Sequence, residues 1–202
     1  MAVKNHELDD KIVAAARQEF LEKGFRGASL HQIAARAGIT TGALYTRYKN
    51  KDALFCSLVQ ELMEEIQKRM AGLHQEYDHV QTCGDPSRIL QVIHQEELVY
   101  RELLVHYRDE CVLMFCKSDG SSLETMLRST MEMKASQTVE YLKSVSKSDL
   151  DLDGAGMLIS QQFHLFRQML DRQYSVEKTI SCMKTMECYM EAGWQALFKA
   201  IL

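Results

Sequence analysis

Residues 29–55 read SLHQIAARAGITTGALYTRYKNKDALF, and this stretch decides the fold. Its spacing predicts two short helices joined by a turn at Gly38, followed directly by a longer helix that Asn50 caps. The middle helix is only about two turns long, and helices that short are marginal in isolation. It ends in an aromatic and basic run from Tyr45 to Lys51. Such a run on a short helix indicates contact with a partner, and the DNA major groove is the leading candidate.

Local signals predict where these helices begin and end. Ser29 and Gln32 form an S-x-x-Q capping box at the start of the second helix. Gly24 is expected to terminate the first helix in the left-handed region, as Gly38 does for the second. Thr40 or Thr41 caps the third helix through its hydroxyl.

The rest of the chain has a helical pattern throughout. Helix-favouring residues dominate, and Pro86 is the only proline. We expect all-α structure with about nine helices: an N-terminal three-helix helix-turn-helix domain over 1–55 and a larger helical domain over 56–202. The first helix is expected over 8–23. After the second and third helices, further helices are expected over 51–77, 86–115 with a break near 104–106, 123–145, 155–171 and 175–202. The expected connections are a linker over 79–85 and loops over 117–122 and 146–154.

The distribution of charge along the chain is uneven. The net charge is −4, but residues 1–55 carry nine basic and six acidic side chains, whereas the remainder carries fifteen and twenty-two. A basic head on an acidic body is typical of a DNA-binding domain joined to another domain. No apolar run approaches the roughly 18 residues of a membrane span, and no signal peptide is evident. We therefore expect a soluble, cytoplasmic protein without a membrane partner.

The residue patterns of catalytic and metal sites are missing from the sequence. The six cysteines form no C-x-x-C pair and the seven histidines form no H-x-x-x-H or H-E-x-x-H pair. There is no Ser-His-Asp spacing and no Gly-rich phosphate loop. We therefore predict no metal, no cofactor and no enzymatic activity, and we expect reduced thiols.

Three runs, EFLEKGF, SLHQIAARAGIT and TGALYTRYKNKDALF, resemble the DNA-binding domain of the TetR family of transcriptional regulators. The resemblance is specific over residues 8–55 and architectural over the rest. It implies a ligand-responsive regulator, most often a repressor, that binds a palindromic double-stranded DNA operator as a homodimer and is released by a small, largely apolar molecule. The DNA contacts that it implies are Ser29, Thr40, Thr41, Gly42, Ala43, Tyr45, Arg47, Tyr48 and Lys51.

The recognition helix departs from the family pattern. Thr41 stands where a longer polar or basic residue is common, and Ala43 offers only a methyl contact. We therefore expect phosphate contacts and DNA shape to carry much of the recognition. Two alternatives stay open, namely that Tyr45 packs against the first helix and that Tyr48 is partly core.

The body is assigned two roles by the same resemblance. The first is a ligand pocket, for which the candidates are Met70, His74, Tyr77, Tyr100, Leu104, Tyr107, Cys111, Phe115, Tyr141, Phe163 and Phe166. The second is a dimer interface on the last two helices, for which the candidates are Ile180, Met183, Met186, Met190, Gly193, Trp194 and Leu197. The alternative for each set is that its members are ordinary core, in whole or in part.

Two other functions remain compatible with this sequence. One is a helical small-molecule or thiol sensor that has lost DNA binding, although Tyr45, Tyr48 and Lys51 speak against it. The other is a TetR-like activator, which the sequence does not distinguish from a repressor. An enzyme built on a helical bundle is a distant third, because no pair of catalytic groups is placed.

Overall fold

The structure is a computed structural model that describes residues 6–83 and 86–202, without the side chains of 6, 74–83, 86–90 and 93. The all-α prediction is confirmed: within the described residues there are nine α-helices and no strand. The helices are α1 (His6–Gly27), α2 (Leu30–Arg36), α3 (Thr41–Tyr45), α4 (Lys51–Cys83), α5 (Pro86–His106), α6 (Arg108–Cys116), α7 (Ser122–Val145), α8 (Asp153–Asp171) and α9 (Val176–Ile201). None of the described helices is both long and apolar enough to cross a membrane.

The chain divides into two compact units. The first runs through Met63 and also takes in Asp109–Met126, and the second comprises Glu64–Arg108 and Leu127–Leu202. The first unit therefore contains α1 to α3, the start of α4, nearly all of α6 and the start of α7. The second contains the remainder of α4 and α7, with α5, α8 and α9.

Three phenylalanine rings form the centre of the first unit. The Phe20 and Phe55 rings meet edge to face with centroids 4.9 Å apart, and Phe25 meets Phe55 at 5.3 Å. Gly24 breaks α1 immediately before Phe25, at φ 68°, as its sequence position predicted. The helix resumes as far as Gly27, although the first helix was expected to end at residue 23. This break turns Phe25 back onto the core, and all three rings are buried.

The ends of the short helices are set mostly by the predicted caps. The Thr40 hydroxyl accepts a hydrogen bond from the Ala43 N–H at 3.1 Å, and the side-chain amide oxygen of Asn50 accepts one from the Ala53 N–H at 2.7 Å. Gly38 has φ 71°, which only glycine adopts readily. These three local predictions are confirmed.

The capping box predicted at the start of α2 is wrong. The Ser29 side chain makes no capping hydrogen bond. Instead the Ser29 N–H donates to the carboxylate of Glu19 at 3.3 Å, so a side chain ten residues earlier on α1 satisfies this end of the helix. A tertiary partner has replaced the local one.

The segment around α6 belongs to the first unit through specific bonds. The Phe25 N–H donates to the carbonyl of Lys117 at 2.8 Å. The Asp52 carboxylate accepts hydrogen bonds from both the N–H and the hydroxyl of Ser122, at 2.8 and 2.6 Å. Asp52, at the start of α4, thereby satisfies a free backbone donor at the start of α7.

The second unit has its own core, built from α5, α7, α8 and α9. Its buried members are Val92, Tyr141, Leu142, Leu152, Ala155, Trp194, Phe198 and Ile201. Lys134 on α7 pairs with Glu96 on α5 at 2.8 Å beside this core. Ser175, where the last helix was expected to begin, caps α9 by accepting a hydrogen bond from the Lys178 N–H.

The predicted dimer stripe on α9 needs correction in part. Met183 and Trp194 are buried within the second unit, and Met190 and Leu197 pack against its core. A side chain buried in the chain's own core is not available to a partner. These four residues are therefore ordinary core, which was the alternative to a dimer interface. Ile180 and Met186 are half-buried and Gly193 is exposed.

Two predicted breaks lie elsewhere in the structure. The linker predicted over 79–85 is wrong for 79–83, because α4 continues to Cys83; residues 84 and 85 lie outside the described residues. The break predicted near 104–106 falls at Tyr107, between α5 and α6.

Candidate nucleic-acid interface

The recognition helix α3 is anchored by one buried residue and otherwise faces outward. Leu44 is buried and fixes the helix on the core of the first unit. Tyr45 is 53% exposed, so about half of this residue faces solvent. Thr41 and Ala43 are half-buried, whereas Thr40 and Gly42 are exposed. The helix thus offers an aromatic hydroxyl and short side chains to a partner.

Arg47 leaves the turn that follows α3. Its N–H bonds back to the Leu44 carbonyl at 3.0 Å. Its Nε donates to the Asp9 carboxylate on α1 at 2.7 Å. Sequence reasoning missed Asp9, because nothing local relates two residues 38 positions apart.

Lys51 is engaged inside the first unit. Its Nζ donates to the carbonyl oxygens of Ala28 and Arg26 at 3.2 and 3.4 Å, and lies 4.7 Å from the centre of the Phe25 ring. This lysine therefore supplies hydrogen bonds to backbone carbonyl groups that follow the break in α1. A phosphate contact would have to share its ammonium group with them.

Tyr48 and Ser29 take intermediate positions. Tyr48 is half-buried, in keeping with the alternative that it is partly core, and its N–H bonds to the Leu44 carbonyl at 3.0 Å. Ser29 is half-buried at the start of α2, with a hydroxyl that does not cap the helix. That hydroxyl remains available for a phosphate.

Much of the positive charge of the head is paired internally. Glu19, fully buried, accepts from Lys23 at 2.9 Å and lies 3.4 Å from Arg36. Arg36 also bonds Glu22 at 2.9 Å, and this hydrogen bond lowers the pKa of Glu22 and raises that of Arg36. Lys49, by contrast, is exposed next to the recognition helix. Such pairing leaves fewer cations of the head to meet a phosphate than the nine in its sequence.

The residues predicted for a ligand pocket do not all fall in one unit. Cys111 and Phe115 belong to the first, and the others to the second. The side chains of His74 and Tyr77 lie outside the described residues. The remaining seven, all in the second unit, are buried or half-buried: Met70, Tyr100, Leu104, Tyr107, Tyr141, Phe163 and Phe166. Burial raises the pKa of Tyr100, so its phenol is neutral at physiological pH. The pocket stays a prediction.

A charged cluster links α5 to α9 in the second unit. Arg101 bonds Glu97 at 2.8 Å and also bonds Glu187, which His94 contacts as well. Burial raises the pKa of Glu97 despite its bond to Arg101. Burial also opposes ionisation of Glu187, but Arg101 and His94 outweigh it, so the pKa of Glu187 lies below its usual value.

Sequence comparison assigns the N-terminal region to a known family. Residues 12–58 match the model of "Bacterial regulatory proteins, tetR family". The chain is 31% identical over 106 residues to the regulator AcrR of Shigella flexneri, which covers 52% of this chain and 42% of that protein. It is 40% identical over 53 residues to the repressor BepR of Brucella suis, covering 26% of this chain and 25% of the relative. The matched stretches thus span less than half the length of these relatives.

Structural comparison extends over nearly the whole chain. The ketosteroid transcriptional regulator KstR2 of Mycobacterium tuberculosis matches with a TM-score of 0.62 at 16% identity, covering 95% of this chain and 96% of the other. A TetR-like regulator from Rhodococcus sp. RHA1 matches with a TM-score of 0.59 at 17% identity, covering 95% and 100%. Likeness at this identity establishes the fold and nothing finer. Residues 12–58 are therefore similar to the N-terminal domain of the tetR family of bacterial regulatory proteins, and the fold of the chain is that of TetR-like regulators.

Proposed function

We propose that the protein is a transcriptional repressor that binds a palindromic DNA operator as a homodimer and releases it when a small, largely apolar ligand binds. The observation that carries this proposal is α3, a short capped helix anchored by Leu44, whose Tyr45 stands in solvent. A buried anchor and an outward aromatic hydroxyl suit a helix that enters the major groove. The family match over 12–58 supports the same reading.

The DNA contacts that we propose are the nine of the sequence analysis, with roles that the geometry refines. Tyr45 and Tyr48 would donate their hydroxyls to phosphates, and Ser29 would add a third such contact. Thr41 and Ala43 would lie over the base edges, where a hydroxyl and a methyl group give weak discrimination. Lys51 would contribute to DNA binding partly by holding in place the backbone carbonyl groups of Arg26 and Ala28, to which it already donates hydrogen bonds.

For the dimer interface we propose a face of α9 displaced from the predicted stripe. Residues spaced by four and three along this helix share one side of it, and they are Cys182, Met186, Tyr189, Gly193, Ala196 and Ala200. Tyr189 is 77% exposed, and Met157 on α8, in the same unit, is 74% exposed. Large apolar side chains with such exposure favour a partner surface. Two heads on half-sites about 34 Å apart, or a multiple of that distance, would then read a palindrome.

Release by a ligand would need only a difference in affinity between two states of the dimer. The chain of α4 passes through both units, so a ligand held in the second unit has a covalent route to the head. The names of similar proteins span a fatty acid degradation regulator, a ketosteroid regulator and a repressor of a multidrug efflux pump. Two of these names refer to largely apolar molecules, fatty acids and ketosteroids, and Met-rich and aromatic surroundings suit an apolar ligand.

The direct experiment is equilibrium binding of the purified protein to the DNA upstream of its own gene, over a series of salt concentrations. A shuffled duplex of the same composition is the control. We expect tighter binding to the upstream duplex and a log-linear decline of affinity with salt. Equal, salt-independent binding to both duplexes would contradict the proposal and favour a sensor without DNA binding. In cells that carry a reporter behind this upstream DNA, loss of reporter expression when the protein's gene is deleted would favour an activator.

A further inference from the structure

Arg47 is the first basic side chain after the recognition helix, which ends at Tyr45. The turn after α3 places it there, because the N–H groups of Arg47 and Tyr48 both bond to the Leu44 carbonyl at 3.0 Å. Its backbone is therefore fixed by the same residue that anchors α3. The Arg47 side chain still rotates about several bonds, and its direction decides which atoms the guanidinium can reach.

Asp9, on the first turn of α1, sets that direction. The Arg47 Nε donates to Asp9 Oδ1 at 2.7 Å. A guanidinium carries five N–H groups, and the four on Nη1 and Nη2 are not the donors of this bond. The two side chains are 29% and 32% exposed, so the pair lies at the surface of the head.

A pair this exposed contributes little to folding stability. Its consequence lies in the freedom of Arg47. An untethered arginine must lose rotamer freedom when it binds, whereas one held at Nε has already lost part of it. A carboxylate that fixes one edge of a guanidinium leaves the opposite edge to meet an acceptor.

We propose that Asp9 is a positioning residue for DNA recognition, which holds Arg47 so that its terminal N–H groups meet acceptor oxygen or nitrogen atoms of the duplex beside α3. This inference rests on the proposed DNA binding. The acceptors are phosphate oxygens or a guanine edge, which share the same chemistry toward a guanidinium.

The test uses the full chain, a duplex that the wild-type protein enriches from a random-sequence library, and a shuffled duplex. Asp9→Ala should weaken binding to the enriched duplex roughly fivefold, because Arg47 is freed. Asp9→Asn should bind nearly as the wild type does, because its amide oxygen still accepts from Nε. In an Arg47→Ala background, Asp9→Ala should have no further effect. An equal loss on the shuffled duplex identifies a phosphate as the acceptor, and a loss confined to the enriched duplex identifies a base edge.

Asp10→Ala is the matched control, since it removes an exposed carboxylate from the same helix turn. Three results would overturn the positioning role alone. Asp9→Ala protein could bind DNA as tightly as wild type, or lose no more affinity than Asp10→Ala protein. Asp9→Ala could also cause the same loss of affinity in the Arg47→Ala background as in the wild type. Wild-type protein that enriches no sequence and binds no duplex would overturn the DNA-binding proposal, and the role of Asp9 with it.

Discussion

Glu19 is the buried acid on which the head depends. Its side chain is fully buried, and it accepts from the Lys23 ammonium and from the Ser29 N–H, with Arg36 3.4 Å away. Burying a carboxylate is unfavourable unless such partners offset the desolvation. The buried carboxylate of Glu19 therefore joins α1 to the start of α2.

Replacing Glu19 with glutamine should lower the free energy of unfolding by about 2 kcal/mol, because two cations and a helix-end donor lose their charged partner. Denaturant unfolding followed by far-UV circular dichroism measures this. Glu22→Gln is the matched control: Glu22 also bonds Arg36 but is exposed, and its loss should have a much smaller effect on stability. Equal effects of the two variants would contradict a structural role for the buried acid.

Thr41 and Lys51 should differ in how they affect DNA binding. Thr41→Ala should change sequence preference, whereas Lys51→Ala should weaken binding to all sequences and reduce the salt slope by about one. Because Lys51 also holds the Ala28 and Arg26 carbonyls, its variant should also lose about 1 kcal/mol of stability. Binding isotherms on several duplexes over a salt series separate the two. Equal effects of both variants on every sequence would refute this division of roles.

At the scale of elements, α7 begins with help from α4. The Asp52 carboxylate accepts from the Ser122 N–H and hydroxyl, so Asp52→Ala should destabilise the first unit by about 1 kcal/mol, the usual effect of removing a cap. Hydrogen exchange of the α7 amides next to Ser122 is the measurement, with faster exchange expected. Asp10→Ala, an exposed acid in the same unit, should leave those amides unchanged. Unaltered exchange in Asp52→Ala would show that the cap has no such role.

Elements whose ends depend on neighbouring residues were predictable from the sequence. Thr40, Asn50 and Ser175 cap the helices that follow them, and Gly24 and Gly38 take positive φ, because each signal acts within a few residues. The capping box at Ser29 failed because the buried Glu19 supplies the acceptor from another helix.

Features that depend on tertiary contacts were not predictable in this way. The linker over 79–83 is helical because polarity alone does not end a helix. The apolar period of α9 located its inner side, but Met183 and Trp194 prove to face the unit's own core. Periodicity cannot say which of two adjacent apolar faces meets a partner. The link from Asp9 to Arg47 spans 38 residues and has no local signature.

At the scale of the whole molecule, acid should weaken the link between α5 and α9. The folded pKa of Glu187 is lowered, since Arg101 and His94 outweigh the effect of burial. Its stabilisation is therefore complete above the unfolded pKa of about 4.3 and is lost as pH falls through the lower folded value. Glu97, whose pKa burial raises, acts in the opposite sense, because its protonation on acidification relieves an unfavourable buried charge.

Glu187→Gln should consequently be less stable than wild type at pH 7, by about 2 kcal/mol, since Arg101 and His94 lose a carboxylate partner. The difference should shrink as pH falls through the lowered folded pKa of Glu187, because the wild-type carboxylate is then protonated too. Denaturant unfolding at a series of pH values checks both statements. A difference that stays constant down to acid pH would contradict the assigned ionisation.

The oligomeric state tests the face proposed on α9. Tyr189→Lys should convert a dimer to a monomer without unfolding it, because the ring is 77% exposed in the single chain. Gln195→Lys puts the same charge on another exposed side of the helix and should remain dimeric. Sedimentation equilibrium gives the mass of each variant. A Tyr189→Lys dimer as stable as wild type would move the interface away from this face.

The central claim, that a dimer of this chain reads an operator, is tested most directly by the sequence that the protein selects. Purified protein is offered a random-sequence duplex library, and the bound fraction is sequenced after successive rounds. Operator reading by a dimer predicts an enriched palindrome whose two half-sites lie one DNA turn of about 34 Å, or a multiple of it, apart. Enrichment of no motif, or of a single half-site without its inverted copy, would contradict it.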